Sequence, residues 1–471
     1  MSETDGDIGI LQTDPVTPTH HDEEDRLKPE FVAEVIAAVD EGQVARARAL
    51  VEPLHPADIA DLLELAPSEQ RQPLASALVG LIDGDVLAEM NDWVRDEVLE
   101  ALSAQQVADF ASELDTDDAV AIIEDMDVED QREVLHAMEP EDRAAIEEAL
   151  SYPEESAGRL MQRDLIAVPE HWCVRDVIAY LRGNDDLTTD FWEIFVVDIA
   201  HKPVGTCKVS WVMRAPDDAP IAAVMQREQT LIPADMDQEE VALRFQKYAL
   251  ISAAVIDRTG RLVGMVTVDD VVHIIQEEAG EDVLLLSGAG EGDINEPVVD
   301  SYKARVRWLI TNLATATVAA TIIYLFQGTL ERMVVLAALM PIVAGVGGNA
   351  GTQTLAVTVR ALATNQLTRS NSVRAVRREL AVALLNGVTI AAIIGVVVGT
   401  AFHNLDLGFV IGTAMMANIF IAGLAGVFVP LTLERFKADP AVASSIFVTM
   451  ITDSMGFLAF LGLATATGLT R

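Results

Sequence analysis

The sequence predicts a multi-domain chain built from an α-helical solenoid, a duplicated α/β unit, a long connecting helix and five transmembrane helices. Three observations carry this. An apolar residue recurs every 12 positions through the first third, a duplication offset by 59 residues follows, and five nearly charge-free stretches fill the last third. At 471 residues the chain is too long for one core, so several domains are expected.

Charge divides the same way. The net charge of -42 is unevenly held: from Ser301 onward there are 6 acids and 12 bases, whereas the first 300 residues hold 68 acids and 20 bases, a net of -48. Such a surface argues against nucleic acid, which needs a basic face, and fits a cationic partner. The two cysteines, Cys173 and Cys207, form no CxxC and give no disulfide framework, which fits a reducing cytosolic setting for this half. Residues 1 to 28 lack both a signal-peptide pattern and apolar periodicity and are expected to be disordered.

The 12-residue repeat places Leu54, Ala66, Leu78, Met90, Leu102, Leu114, Met126, Met138 and Leu150 in one register. LHPAD, LDTDD, MDVED and MEPED put Pro or Asp just after the anchor, where a helix starts, and acids in its first turn. Twelve residues make a turn and about two helical turns, too little to bury a face alone, so the units are expected to stack. Most single acids here are read as solvated.

From about residue 151, IAVPEHWCVRDVIAYLR with IFVVDIAHKPVGTCKVS, and TLIPADMDQEEVALRFQKY with AAVIDRTGRLVGMVTVDD, each read as strand, amphipathic helix and hairpin. Asp198 and Asp257, like Gly205 and Gly264, are 59 apart. The pair resembles two CBS domains, which imply one pseudo-symmetric module. The second copy carries Gly264-x-x-Thr267-x-x-Asp270, and the resemblance makes Thr267 and Asp270 the residues for an adenine nucleotide such as ATP. The first copy has Gly205, Lys208 and Trp211 there and lacks the motif.

Trp308–Leu330, Met333–Val359, Leu380–Phe402, Leu407–Leu433 and Pro440–Thr470 each exceed the roughly 20 apolar residues that a hydrocarbon core of ~30 Å demands. Lys303, Arg305 and Arg307 precede the first; Arg360, Arg369, Arg374, Arg377 and Arg378 lie between the second and third, and Arg435 and Lys437 follow the fourth. The other loops are nearly neutral, so the N-terminus and soluble domains are expected on the cytoplasmic side and the C-terminus outside.

Asp453 is the only acid within these stretches, and a lone carboxylate at membrane depth is a functional candidate. Ser445, Thr449 and Asp453 share one helix face. In the second stretch, Gly345, Gly347, Gly348 and Gly351 surround Asn349 and precede Gln353. They fit either backbone that unwinds beside water or a tight helix crossing. Carboxylate, amide and hydroxyl oxygens without His or Cys favour a hard divalent cation such as magnesium or calcium.

PIVAGVGGNAGTQ, DPAVASSIFVTMITDSMG, LHPADIADLLEL and LSYPEESAGRLM, in this order of domains, resemble the MgtE family of magnesium channels and transporters from about residue 50 to the end. The domains are thus expected as a disordered acidic tail at 1–28, a helical-repeat N-domain at 29–150, a CBS pair at 151–276, a connecting (plug) helix at 277–304, which the resemblance implies, its helical part about Val283 to Ala304, and a transmembrane domain at 305–471. The resemblance implies a homodimer in the cell membrane, with Asp453 holding hydrated Mg2+ near Asn349; the shared helix face adds Thr449 as a pore candidate. Ser445 and Ile446 replace the family's usual Asn/Gly-Pro, which puts a pore role for Ser445 in doubt. The resemblance also implies a gate closed by Mg2+ on cytosolic acids: Asp269, Asp270, Glu277, Glu278, Glu281 and Asp282 around the connecting helix, Glu239 in the second CBS copy, Asp439 before the last span and Asp118 in LDTDD. Ala249 and His273 stand where relatives have acids, which implies a missing or weaker regulatory site. An ion-coupled carrier and a membrane-anchored CBS nucleotide sensor without transport remain as rivals. No nucleophile–base pair, P-loop or zinc spacing points to an enzyme.

Overall fold

The computed structural model describes residues 20–469, apart from 25, 101, 125, 185–186, 189–190, 289–291, 293, 368–370 and 443. The part of the acidic tail before residue 20 lies outside the described residues. The chain divides into two units, Met1–Ile275 and Gln276–Arg471.

The first unit opens with a correction. The tail expected to be disordered through residue 28 is ordered from His20, because Leu27 buries in the solenoid core and His21 pairs with Leu27 in an isolated bridge. His21 Nε2 lies 2.9 Å from Asp58 Oδ1. Short helices then follow at the 12-residue pitch, among them Pro56–Leu65, Ser68–Leu78, Asp92–Leu99, Ala104–Ala111, Thr116–Glu124, Val128–Ala137 and Pro140–Leu150. Their starts carry the expected caps: Pro56 and Pro140 sit in the first turn, Asn91 accepts from the Trp93 N–H, and Ser103 with Gln106 closes a capping box. The anchors Ala66, Leu78, Met90 and Met138 are buried, and Leu54, Leu102, Leu114, Met126 and Leu150 pack against the same core. Stacking thus buries what no single unit could.

The duplicated part forms two three-stranded sheets of the same order. β1 (Ala167–Pro169) pairs parallel with β2 (Glu193–Val197), which pairs antiparallel with β3 (Pro203–Lys208). β4 (Leu231–Pro233), β5 (Ser252–Ile256) and β6 (Leu262–Thr267) repeat this. Both hairpins carry an irregularity at the equivalent place, Val196/Val197 and Val255/Ile256. Gly205 and Gly264 are equivalent too: a Cβ at either would lie 2.7 Å from a methionine sulfur, of Met225 or Met161.

The helix Val268–Ser287 follows β6 directly. It ends earlier than the connecting helix expected to run to about Ala304. Gly288 takes a φ of +70°, which favours glycine, and Pro297 precedes a new helix, Val298–Leu325. The residues from Val298 to Ala304 are therefore the first turns of the first span.

Among its described residues the second unit holds five helices long and apolar enough to cross a membrane: Val298–Leu325, Val335–Ala363, Ser372–Ala401, Leu405–Arg435 and Ser444–Ala466. The fourth is central, since 56% of its most apolar window is buried against 6% for the first. Small residues bring the third and fourth spans together: a Cβ on Gly408 would stand 2.3 Å from the Gly395 carbonyl oxygen, and one on Gly412 2.8 Å from that of Ala391.

Candidate ion path and acidic seams

Asp453 lies in the last span, where Ser445, Thr449 and Asp453 are all partly buried on one face. Among the described residues Asp453 makes no hydrogen bond or ion pair. Removing a lone carboxylate from water is costly, so this position requires solvent, a proton or a cation.

The second span stays helical through its glycines, and each glycine has a separate surrounding. Cβ atoms at Gly347 and at Gly456 of the last span would lie 2.1 and 2.6 Å from one atom, Asn418 Nδ2. One turn further along, Gly351 meets Val448 and Thr452. The two helices therefore run antiparallel, and Asn349 stands at the level of Asp453. Gly345 and Gly348 meet nothing within 4 Å, and Asn349 is exposed. Gly347 and Gly351 thus serve a close crossing, while Gly345, Gly348 and Asn349 lie on an open face. The unwinding that the glycines also fitted is not what the helix does.

Asn418 was not singled out from the sequence. It is fully buried in the fourth span and donates from Nδ2 to the Val343 carbonyl oxygen at 2.9 Å. Its signal was a lone amide in an apolar run.

A first acidic seam joins the solenoid to the second CBS copy within the first unit. Asp117 and Asp118 open the helix Thr116–Glu124, and Asp270 lies in the first turn of Val268–Ser287. Burial, and then the charge of Asp270, pushes the Asp117 carboxyl well above the ordinary carboxylate range. The same two causes push Asp118 up to about 6. Asp270 is raised chiefly by burial, against the pull of a hydrogen bond from Thr267 Oγ1. Asp117 Oδ1 is buried without a hydrogen-bond partner among the described residues. An orphaned acceptor among like charges is chemistry that a hard cation would satisfy. No three such groups stand close enough to close on one ion among the described residues, so the arrangement is repulsive and not yet a coordination shell. Asp117 was missed in sequence, although LDTDD places it beside Asp118.

A second pair lies within the second unit. Asp282 is pushed up by burial and then by Asp439. Asp439 Oδ1 accepts from the Ala441 N–H at 2.7 Å just before the last span. Leu285 and Leu286, one turn beyond Asp282, pack against a cluster of Leu355, Val359, Ala425, Ala441 and Val448. The end of the long helix is thereby seated on the second, fourth and last spans.

The remaining acids are more dispersed. Asp269, Glu277 and Glu281 are exposed, and Glu278 and Glu239 are partly buried. The Glu239 N–H donates to Asp237 Oδ1. Ala249 caps its helix with a φ of +50°, and His273 is exposed.

Sequence comparison places these features in a family. The profile of MgtE, described as a divalent cation transporter, matches residues 340–463; that of the MgtE intracellular N domain matches 54–155, and that of the CBS domain 221–277. The magnesium transporter MgtE of Thermus thermophilus is 31% identical over 436 residues, covering 91% of this chain and 96% of the relative. The chain belongs to the MgtE family. The magnesium transporter MgtE of Bacillus subtilis is 29% identical over 440 residues, covering 93% of this chain and 97% of the relative. A crystal structure of the cytosolic domain of the Mg2+ channel MgtE in complex with ATP is 28% identical, with a TM-score of 0.47, over 52% of this chain and 99% of that one. The five spans and these matches make the chain a multi-pass membrane protein of this family.

Proposed function

We propose that the chain is a homodimeric Mg2+ channel of the cell membrane, closed by Mg2+ bound to its cytosolic acids. The observation that carries this is Asp453, without a hydrogen bond or ion pair among the described residues, in the last span and level with Asn349 on an open face of the second. Mg2+ sheds water reluctantly, so one carboxylate per subunit, with the Asn349 amide and Thr449 hydroxyl nearby, holds the ion through its hydration shell. The Arg-rich loop after the second span sets the soluble domains on the cytoplasmic side.

Closure follows from charge. Asp117, Asp118 and Asp270 repel across one seam, and Asp282 and Asp439 across another. Mg2+ relieves both repulsions and so favours the compact form over the open one. Asp269, Glu277, Glu278, Glu281 and Glu239 supply further carboxylates around the same helix. In the compact form the Leu285–Leu286 end of that helix presses on the last span near Val448. Thr267 and Asp270 are also the residues for ATP, which places a nucleotide and the first seam on one carboxylate.

Recording from the reconstituted protein tests the reading. Discrete current steps carried by Mg2+, suppressed when Mg2+ is raised on the side of the soluble domains, are expected. Mg2+ flux that saturates without current steps would instead favour a carrier, and no flux at all would favour a nucleotide sensor.

A further inference from the structure

The third span contains an acid that the sequence reading assigned to no span, because its apolar run was counted from Leu380. Glu379 lies in the second turn of Ser372–Ala401 and is only 9% exposed. It lines a cavity of about 180 Å³ among the second, third and fourth spans. Gln353 and Thr354 from the second span and Asn386 from the third bring further oxygens to the same cavity.

The partner of Glu379 is a poor match for it. Arg378 Nη1 donates to Glu379 Oε1 at 2.5 Å, yet the Arg378 side chain is 70% exposed. Adjacent residues on a helix do not face each other, so the guanidinium must fold back across the backbone to reach its neighbour. The guanidinium stands in solvent while the carboxylate does not, so another cation can take the place of Arg378 without stranding a buried base. Carboxylate, two amides and a hydroxyl, with no His or Cys, suit a hard divalent ion. At about 30 Å³ per water the space takes an ion with roughly six waters.

The position also fits. Gln353 is one turn past Asn349 on the same face of the second span, so the cavity lies about 6 Å from the Asp453 level toward the Arg-rich loop. We infer that this cavity is a second station for hydrated Mg2+, in which the ion displaces Arg378 from Glu379 before or after it meets Asp453. The inference rests on the transport reading for the identity of the ion.

The test uses the full chain in liposomes with Cys173 and Cys207 replaced by Ser, and a single probe, Val382→Cys, on the cavity wall. The rate at which a cationic thiol reagent modifies the probe is read against Mg2+ concentration. Mg2+ should slow modification, and Glu379→Gln should raise the concentration needed about tenfold, the effect of about 1.4 kcal/mol of lost binding. Protection that is equal in Glu379→Gln, or absent with Glu379 in place, overturns the inference. Ala350→Cys gives the same readout from the opposite wall if Val382→Cys does not fold. Adding Asp453→Asn separates the two claims: protection that persists while Mg2+ flux is lost keeps the cavity site independent of the pore carboxylate. Protection in a wild type that carries no flux would sink the transport reading and leave the cation site.

Discussion

Asp117 of the solenoid and Asp270 of the second CBS copy are drawn together across a seam where burial raises both carboxyls and the charge of Asp270 raises Asp117 further, while a hydrogen bond with Asp117 partly offsets the rise at Asp270. Such a contact is costly at neutral pH and is relieved by a proton or by a divalent cation.

The sign of the pH effect follows from Asp118, whose carboxyl is raised to about 6. A carboxyl raised in the closed form binds its proton more tightly there than when the seam is open. Its contribution is fully present below the ordinary carboxylate range and is lost as pH rises through about 6. In chelator, lowering the pH from about 7.5 to about 5 should therefore protect the junction of solenoid and CBS pair from protease. Mg2+ at the higher pH should do the same. Asp118→Asn should weaken both responses; cleavage that ignores pH and Mg2+ alike would count against the seam.

Asn418 pins three spans at once, bonding to Val343 and filling the gaps left by Gly347 and Gly456. Asn418→Leu should lower the thermal midpoint in detergent, with a loss of about 1 to 3 kcal/mol from the unpaired carbonyl and altered packing. Gly347→Ala should be as harmful because its Cβ would lie 2.1 Å from Asn418 Nδ2. Combining Gly347→Ala with Asn418→Ala should cost less than the sum of the two single changes. Strict additivity would mean that the two positions do not share the contact.

Thr267 Oγ1 donates to Asp270, which also accepts from Gln162 Nε2 at 3.5 Å. If the same two side chains hold a ribose, Thr267→Val should weaken ATP binding about tenfold while leaving the fold intact, as expected for one lost charge-assisted hydrogen bond. Titration calorimetry on the full chain reads this directly, and an unchanged affinity would remove Thr267 from the nucleotide site.

Much of the fold was legible because it is written in local periods. Anchors at 12-residue spacing became solenoid helix ends, and the Asp198/Asp257 duplication became two sheets with the same irregularity in the same hairpin. What escaped depends on tertiary placement. Glu379 borders an apolar run, and only the packing of three helices shows it to be buried over a cavity. Asp117 is indistinguishable from Asp118 in the sequence until one oxygen is seen to be orphaned. The break at Gly288, by contrast, carried a local signal, the Gly-rich run SGAGEGDINEP at 287–297, which the expected helix to Ala304 overran; a left-handed φ at Gly288 ends the helix and Pro297 precedes the next. Leu27 looked like an isolated apolar residue in a charged tail, and only the solenoid core explains its order.

The central claim is that Asp453 holds the conducted ion. Mg2+ flux into liposomes, driven by a Mg2+ gradient with low Mg2+ on the side of the soluble domains, measures it most directly for wild type and Asp453→Asn side by side. The account predicts that flux is lost, or loses its preference for Mg2+, in the variant while the protein keeps its fold. Flux of undiminished rate and selectivity through Asp453→Asn would contradict it.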